Sequence, residues 1–248
     1  MASFRSLLPK RVLEQADDPV GRRLLTEYGS IFVASNGIVP PDRIIFRDQA
    51  EVATFQKSVT IGKVQFDEFV IELQKAAAEN LIHAIAIARS RGLMITPRGP
   101  DSGRRSYDET VGLWLSRVEP ALDHWTTMGR VSSSDAENIR QSSPFEQVPI
   151  VLSLEEQGIF FAKDLSKTIL YSVAPPGTSQ HLSMLAFDVA EFNDPEIREI
   201  LESHFWYQTV PSDLPHFTFL GVPVESLSGL GLRPLDHSDR AFWVPDIE

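Results

Sequence analysis

Six histidines and no cysteine stand among the 248 residues, so a metal or a general base in this chain must be built from imidazole and carboxylate. The same absence excludes disulfides, thiol nucleophiles, iron–sulfur clusters and thiolate zinc sites. His83 sits in an apolar helical stretch, His124 beside Trp125, His204 near an expected helix end and His237 in a polar tail; these four read as core or surface histidines. His181 and His216 have different neighbours. His181 follows the turn Pro176-Gly177-Thr178-Ser179-Gln180, and Asp188 comes seven residues later. If the residues between run as a strand, Met184, Ala186 and Asp188 share one face, and Leu185, Phe187 and Val189 the other. A carboxylate opposite an apolar face, with an imidazole at the strand mouth, is half of a metal site. The other half lies in Ser212-Asp213-Leu214-Pro215-His216-Phe217. There Pro215 biases Leu214 towards extended geometry, and His216, Thr218 and Leu220 share a face against Phe217 and Phe219. Two His and one Asp leave a fourth tetrahedral position for water, as in a catalytic rather than a structural zinc site. Asp213, close by without necessarily binding, is a carboxylate able to take a proton. On spacing alone the alternative is a buried aspartate paired with an unrelated histidine.

These residues resemble a known family. Ser179-Gln180-His181 with Ala186 and Asp188 looks like the Ser-x-His-x-x-Gly-x-Ala-x-Asp signature of the VanY-type zinc D-alanyl-D-alanine carboxypeptidases. They belong to the wider LAS-type group of peptidoglycan metallopeptidases, which includes vancomycin-resistance dipeptidases and L-alanyl-D-glutamate endopeptidase endolysins. Asp213-Leu214-Pro215-His216-Phe217 is similar to the second signature, an acidic residue three positions before the last zinc-binding His. Ser102-Gly103-Arg104-Arg105-Ser106-Tyr107 is similar to the third, Ser-Gly-Tyr-Arg-Ser. All three stand in the family's order, and the resemblance spans roughly Phe66 to Val222. It implies that His181, Asp188 and His216 bind Zn²⁺ and that Asp213 is the general base, later protonating the leaving amine. It implies that Arg105 anchors a substrate carboxylate or steadies a developing oxyanion, a task suited to a permanently charged fork of donors. Ser179, Ser106 and Tyr107 are the implied substrate-binding residues, Ser179 supporting either the first ligand or the substrate.

The chain departs from the family pattern at several places. The glycine three residues after the first His is Met184, whose side chain the strand reading puts on the metal side, narrowing the pocket. The tyrosine of the arginine motif is Arg104, the glutamine usual after it gives way to Asp108-Glu109-Thr110, and Pro97 to Asp101 separate the motif from its strand. Arg98 and Arg104 are therefore rivals for the role of Arg105, and the residue-level alternative for Arg105 is a surface pair with Asp108 or Glu109. The base is Asp where the carboxypeptidases commonly have Glu, and an Asp-x-Pro-His-aromatic ending looks closer to the endolysin branch. Shortening the acid by one methylene moves its oxygen by about an ångström, enough to matter for positioning.

The elements that must position these groups read as follows. Residues 1–65 mix short apolar runs with breakers and suggest an N-terminal extension of short strands and loops packed on a zinc peptidase domain, residues 66–248. Phe66 to about Arg91 has helical spacing, closed by Gly92. Leu93 to Thr96 reads as a short buried strand, Tyr107 to about Val118 as a second helix, and Ser132 to Ser143 as a surface loop or weak helix. Val148 to Leu152, Gly158 to Ala162, Thr168 to Val173, Leu182 to Val189 and His216 to Val222 are candidate strands, and Asp194-Pro195-Glu196 starts a helix that runs to about Ser203. Helices first and strands later suggest an α+β fold, helices packed on a small antiparallel sheet carrying the zinc site; the resemblance implies the Hedgehog/D,D-peptidase type.

Composition bounds the rest. With 42% hydrophobic residues the chain can bury a full core. A net charge of −11 argues against nucleic acid and anionic membranes, which call for a basic face. No run approaches the length of a membrane span, and Met1 to Val12 lacks the apolar core of a secretory signal. The expected activity is hydrolysis of peptidoglycan stem peptides, as a D-alanyl-D-alanine carboxypeptidase. The alternatives are an L-alanyl-D-glutamate-type endopeptidase and a non-catalytic cell-wall-binding relative. The resemblance alone implies a place in the cell envelope, periplasmic or secreted.

Overall fold

The structure is a computed structural model describing residues 3–237 and 239–247. The first sixty-odd residues are helical rather than strands: α1 (Phe4–Leu7), α2 (Lys10–Gln15), α3 (Pro19–Tyr28), a 3-10 turn over Gly29–Val33, and α4 (Gln49–Ser58). Local chemistry explains α3, since Pro19 occupies the first helical position and the Asp18 side chain accepts from the Gly21 amide. The apolar run Ile31-Phe32-Val33-Ala34 is buried on all sides, and a run of that length does not distinguish a strand from a buried turn.

The helical spacing from Phe66 is also half misleading. β1 (Ile61–Gln65) and β2 (Val70–Gln74) form an antiparallel hairpin, and the helix, α5, begins only at Lys75 and ends at Ser90. Ile71 and Leu73 alternate inward from β2, while Ala77, Leu81, Ala84 and Ala88 continue the same apolar stripe on α5. The two periodicities merge where strand passes into helix. Leu93 to Thr96 forms no strand; a single bridge, Pro97 to Val189, follows it.

Contacts divide the chain into two units: Met1–Ile44, Ala53–Arg105 and Gln180–Glu248 form one, and Ile45–Val52 with Ser106–Ser179 the other. The second unit is helical. α6 (Tyr107–Thr127) outlasts its expected end, the stretch expected as a loop or weak helix is the helix α7 (Ser133–Gln141), and α8 (Pro144–Glu156) contains the Val148–Leu152 stretch expected as a strand. The deciding signal for α8 is its start, where Ser143 and Glu146 form a reciprocal capping box with Pro144 between them. The strands expected over 158–162 and 168–173 are loops and a 3-10 turn, Ile169–Tyr171. Their amides are met by one buried carboxylate: Glu155 accepts from Phe161 N (3.3 Å) and Ile169 N (2.6 Å).

The first unit holds the sheet that matters for the site. β3 (Ala186–Asp188), α9 (Pro195–Ser203), β4 (Trp206–Tyr207), β5 (His216–Phe219), α10 (Val224–Leu227), β6 (Leu232–His237) and β7 (Arg240–Pro245) follow in order. β3, β5 and β4 lie side by side in that order, both pairs antiparallel, and β6–β7 is a separate hairpin. Phe187, Phe217, Trp206 and Phe219 pack from one face of the three-stranded sheet into a core completed by α5 and α9. The fold is α+β, helices packed on small antiparallel sheets.

Candidate metal centre

The register of two short strands builds the site. Asp188 on β3 stands directly opposite His216 on β5, a placement that brings Cβ atoms to about 4.5–5.5 Å on one face. The Ala186–Thr218 pair shares that face, while Phe187 and Phe217 pair on the core side, as the alternation in the sequence predicts. The strand is shorter than expected. Residues Gln180–Ser183 form a 3-10 turn, and Met184 takes a left-handed conformation (φ 56°) before β3 begins. The Met184 amide donates to the His181 carbonyl at 3.1 Å, closing the turn. Met184 therefore stands outside the strand alternation and is fully buried, and its backbone occupies the region that favours glycine.

Gly103 fixes the first imidazole. A Cβ at this glycine would lie 2.5 Å from Ile71 Cγ2 and 3.0 Å from the Glu72 carbonyl oxygen, so only glycine lets the chain pass so close to β2. Its carbonyl accepts from His181 Nδ1 at 2.7 Å. A carbonyl can only accept, so the proton is on Nδ1 and Nε2 carries a lone pair. That Nε2 is buried, has no hydrogen-bond partner, and lies 3.2 Å from Asp188 Oδ1. His216 repeats the arrangement with its nitrogens exchanged. Its Nε2 lies 2.9 Å from Gln180 Oε1, whose amide nitrogen is turned away to donate to the Tyr28 carbonyl. Nε2 must therefore donate, and in the neutral ring Nδ1 turns a lone pair towards Asp188 Oδ1 at 3.3 Å. Two imidazole lone pairs and one carboxylate oxygen converge with no proton among them, an arrangement that repels itself unless a cation sits between.

The residues fit zinc. Two imidazole nitrogens and a carboxylate oxygen are its usual donors, and donor atoms around a tetrahedral zinc stand about 3.4 Å apart. The separations here are 3.2 and 3.3 Å. Among the described residues, His181, Asp188 and His216 form the group of His, Asp and Glu able to hold a metal ion. Electrostatics favour the required protonation states. Burial pushes the His181 pKa below its ordinary value, and Arg105 acts in the same direction, so the ring stays neutral. Burial pushes Asp188 up, but positive charge at the imidazoles facing it, His181 above all, outweighs burial and holds its carboxyl far below the usual range; with both rings neutral, a bound metal ion would supply that charge.

No protein-family model matches the chain, and no curated protein matches it. Among solved structures it is similar to a vancomycin-resistance D,D-pentapeptidase, a VanY mutant from a VanB-type resistance cassette in complex with Zn(II). The identity is 13% and the TM-score 0.39, over 78% of this chain and 90% of that chain. The metal centre stands on its own geometry.

Of the three candidate arginines, the structure brings Arg105 to the group. Its Nη2 donates to Asp188 Oδ2 at 2.8 Å and its Nε to the Asp101 carbonyl at 2.9 Å, with the side chain 15% exposed. It reaches Asp188 because the segment before it lies along β3: Asp188 N donates to the Ser102 carbonyl and Arg98 N to the Asp188 carbonyl. Arg104 is taken up by Glu72 and Gln56, each at 2.8 Å, and the Arg98 side chain is exposed. Asp213 is exposed and outside the converging group; its carbonyl accepts from His216 N at 3.1 Å, in the turn that delivers His216 to β5. Its charge reaches Tyr28, whose phenol is pushed far up by burial first, then by Glu27 and Asp213.

Ser106, Tyr107 and Ser179 belong to the second unit. Ser106 is committed to the α6 cap, its amide and hydroxyl both bonded to Glu109 Oε2. Tyr107 is buried with its amide on Gln49 Oε1 at 2.8 Å, and burial, with Asp48, Asp108 and Glu51, pushes its phenol to about 12. Ser179 is also buried. Sequence reasoning missed Gln180 and the Gly103 carbonyl. Both sit inside motifs already quoted, and the available signal was that a buried imidazole ligand needs a partner for its second nitrogen.

Proposed function

We propose that this chain is a zinc-dependent peptidase that hydrolyses peptidoglycan stem peptides, acting as a D-alanyl-D-alanine carboxypeptidase in the cell envelope. The observation that carries the reading is the convergence of His181 Nε2, His216 Nδ1 and Asp188 Oδ1, three acceptors that only a cation reconciles, with three protein donors and a fourth position for chemistry. The family resemblance of the three motifs supplies the substrate class. When bound, zinc supplies Lewis acidity to a scissile carbonyl and to a water. Asp213 takes the water's proton and returns it to the leaving amine. Arg105 holds Asp188 through Nη2, and its Nη1, which makes no hydrogen bond among the described residues, remains to meet a substrate carboxylate or a developing oxyanion. No described helix is long and apolar enough to cross a membrane.

One observation favours a second reading, an L-alanyl-D-glutamate-type endopeptidase. Arg105 already serves Asp188 and Asp101, which leaves less of it for the terminal carboxylate that a carboxypeptidase must anchor. The test is incubation of the zinc-loaded chain and its Asp213→Ala variant with a pentapeptide stem, products read by mass spectrometry. Release of terminal D-Ala by the wild type alone supports the first reading and an internal cut the second. No cleavage by a zinc-loaded wild type at tenfold enzyme excess refutes both.

A further inference from the structure

Gln180 separates the serine and histidine of a motif, and nothing in the proposed chemistry uses it. It is 1% exposed and every polar atom of its side chain is engaged. Oε1 accepts from His216 Nε2 at 2.9 Å and from the Thr218 hydroxyl. Nε2 donates to the Tyr28 carbonyl at 2.9 Å and towards Thr209 Oγ1 at 3.5 Å. Thr209 and Thr218 are themselves joined, oxygen to oxygen, at 2.6 Å, and both are fully buried.

With the Gln180 NH₂ held on the Tyr28 carbonyl, one arrangement of protons satisfies this set. Thr218 gives its hydroxyl proton to Gln180 Oε1, so Thr209 must be the donor in the Thr209–Thr218 bond, and Thr209 Oγ1 is then free to accept from Gln180 Nε2. The three side chains close a ring in which every hydrogen bond has a fixed direction. Rotating the Gln180 amide by half a turn would set its oxygen against the Tyr28 carbonyl, a repulsive contact that no hydroxyl rotation can relieve in a site without solvent to absorb it. The second lone pair of Oε1 is thereby held towards His216, and it accepts from Nε2 only when that nitrogen carries the proton.

We infer that Gln180 is a positioning residue that selects the nitrogen His216 offers to the metal. By keeping the proton on Nε2, it leaves the Nδ1 lone pair facing Asp188 Oδ1, where the lone pair of His181 also points. The Gly103 carbonyl does the same for His181 with the nitrogens reversed. The Tyr28 carbonyl at the end of α3 orients Gln180 in turn, so the N-terminal helices take part in metal binding without supplying a ligand. This rests on the metal site of the proposed function and not on the peptide it cleaves.

The experiment uses the full chain labelled with ¹⁵N-histidine, as wild type, Gln180→Met and Thr209→Val. Long-range ¹H–¹⁵N spectra at pH 8, with and without zinc, read the ring protonation, and chelator competition reads the zinc Kd. The wild type is expected to show His216 protonated on Nε2 alone. Gln180→Met is expected to lose that restriction and bind zinc roughly 10- to 100-fold more weakly, the usual consequence of removing a partner behind a metal ligand. Thr209→Val, which touches neither imidazole, is expected to weaken zinc in the same direction by a smaller factor. A space-filling role alone would lower thermal stability and leave both readouts unmoved. A proton on Nδ1 of wild-type His216, or an unchanged Kd in folded Gln180→Met, overturns the inference. If Gln180→Met does not fold, the wild-type spectrum and Thr209→Val decide it. Absence of zinc binding by the wild type would sink the proposed function, while the metal-free spectrum would still decide the role of Gln180.

Discussion

Asp188→Asn separates the two things that Asp188 does. The aspartate balances Arg105, through the 2.8 Å bond from Nη2 to Oδ2, and its Oδ1 is the anion on which both imidazole lone pairs converge. Asparagine retains an oxygen for Arg105 and places an NH₂ where Oδ1 stood, 3.2–3.3 Å from His181 Nε2 and His216 Nδ1. In the metal-free protein a hydrogen bond thus replaces a repulsion, and this offsets the loss of the ion pair. Asp188→Ala has no such offset: it leaves the guanidinium of Arg105, only 15% exposed, with Asp101 as its remaining partner, and should cost up to about 3 kcal/mol, the low end for deleting one partner of a buried pair. Metal-free stability should therefore fall in the order wild type or Asp188→Asn, then Asp188→Ala well below both. Zinc inverts the comparison. At a free zinc concentration of roughly a thousand times Kd, binding adds about 4 kcal/mol, or roughly 8–16 °C in Tm at about 2–4 °C per kcal/mol for a chain of this size. Wild type should show that rise and neither variant should. Calorimetry of the three proteins with EDTA and with zinc provides the measurement. A zinc-dependent rise that survives in Asp188→Asn, or metal-free Asp188→Asn as unstable as Asp188→Ala, would refute the converging-lone-pair argument.

Metal-free stability should also fall with acid. His181 has a folded pKa below its ordinary 6.5, so from about pH 6.5 downward the unfolded chain takes a proton that the folded chain refuses, removing up to about 1.4 kcal/mol per pH unit until the folded ring protonates. Urea melts should therefore show a plateau from pH 8 to about 6.5 and a decline from there to pH 4, and Asp188, also depressed, extends the loss below its ordinary value of 3.8. Met184→Gly relieves a left-handed backbone worth about 1–2 kcal/mol but empties a fully buried site at about 2–5 kcal/mol, so the variant should be less stable in denaturant melts despite restoring the glycine of the signature. Asp213→Ala should lower kcat by roughly 10²–10⁴ with the zinc Kd unchanged, because the carboxylate stands outside the metal group; a comparable loss of zinc would make it a ligand.

The parts of this molecule that the sequence made legible are those in which one residue's type decides the outcome. Alternation about Phe187 and Phe217 put Asp188 and His216 on one face without any knowledge of the pairing, because a strand offers only two faces and the other had to be apolar. Asp194-Pro195 fixed the start of α9 in the same way. What was not legible depends on partners distant in the chain. The run Val148–Leu152 has the same composition in a helix as in a strand, and only the capping box before it separates the two. Gln180 looks like a spacer until Tyr28, Thr209 and Thr218, brought from three other segments, turn its amide into a directed pair of donor and acceptor. Arg105 shows the limit from the other side. Its motif suggested a substrate anchor, and local charge suggested Asp108 or Glu109 as partners. Its partner in the fold is Asp188, the residue whose charge the metal site most requires. A motif identifies which side chains converge, but the division of labour among them follows from which lone pair each one leaves free, and that is set by hydrogen bonds made on the far side of every ring.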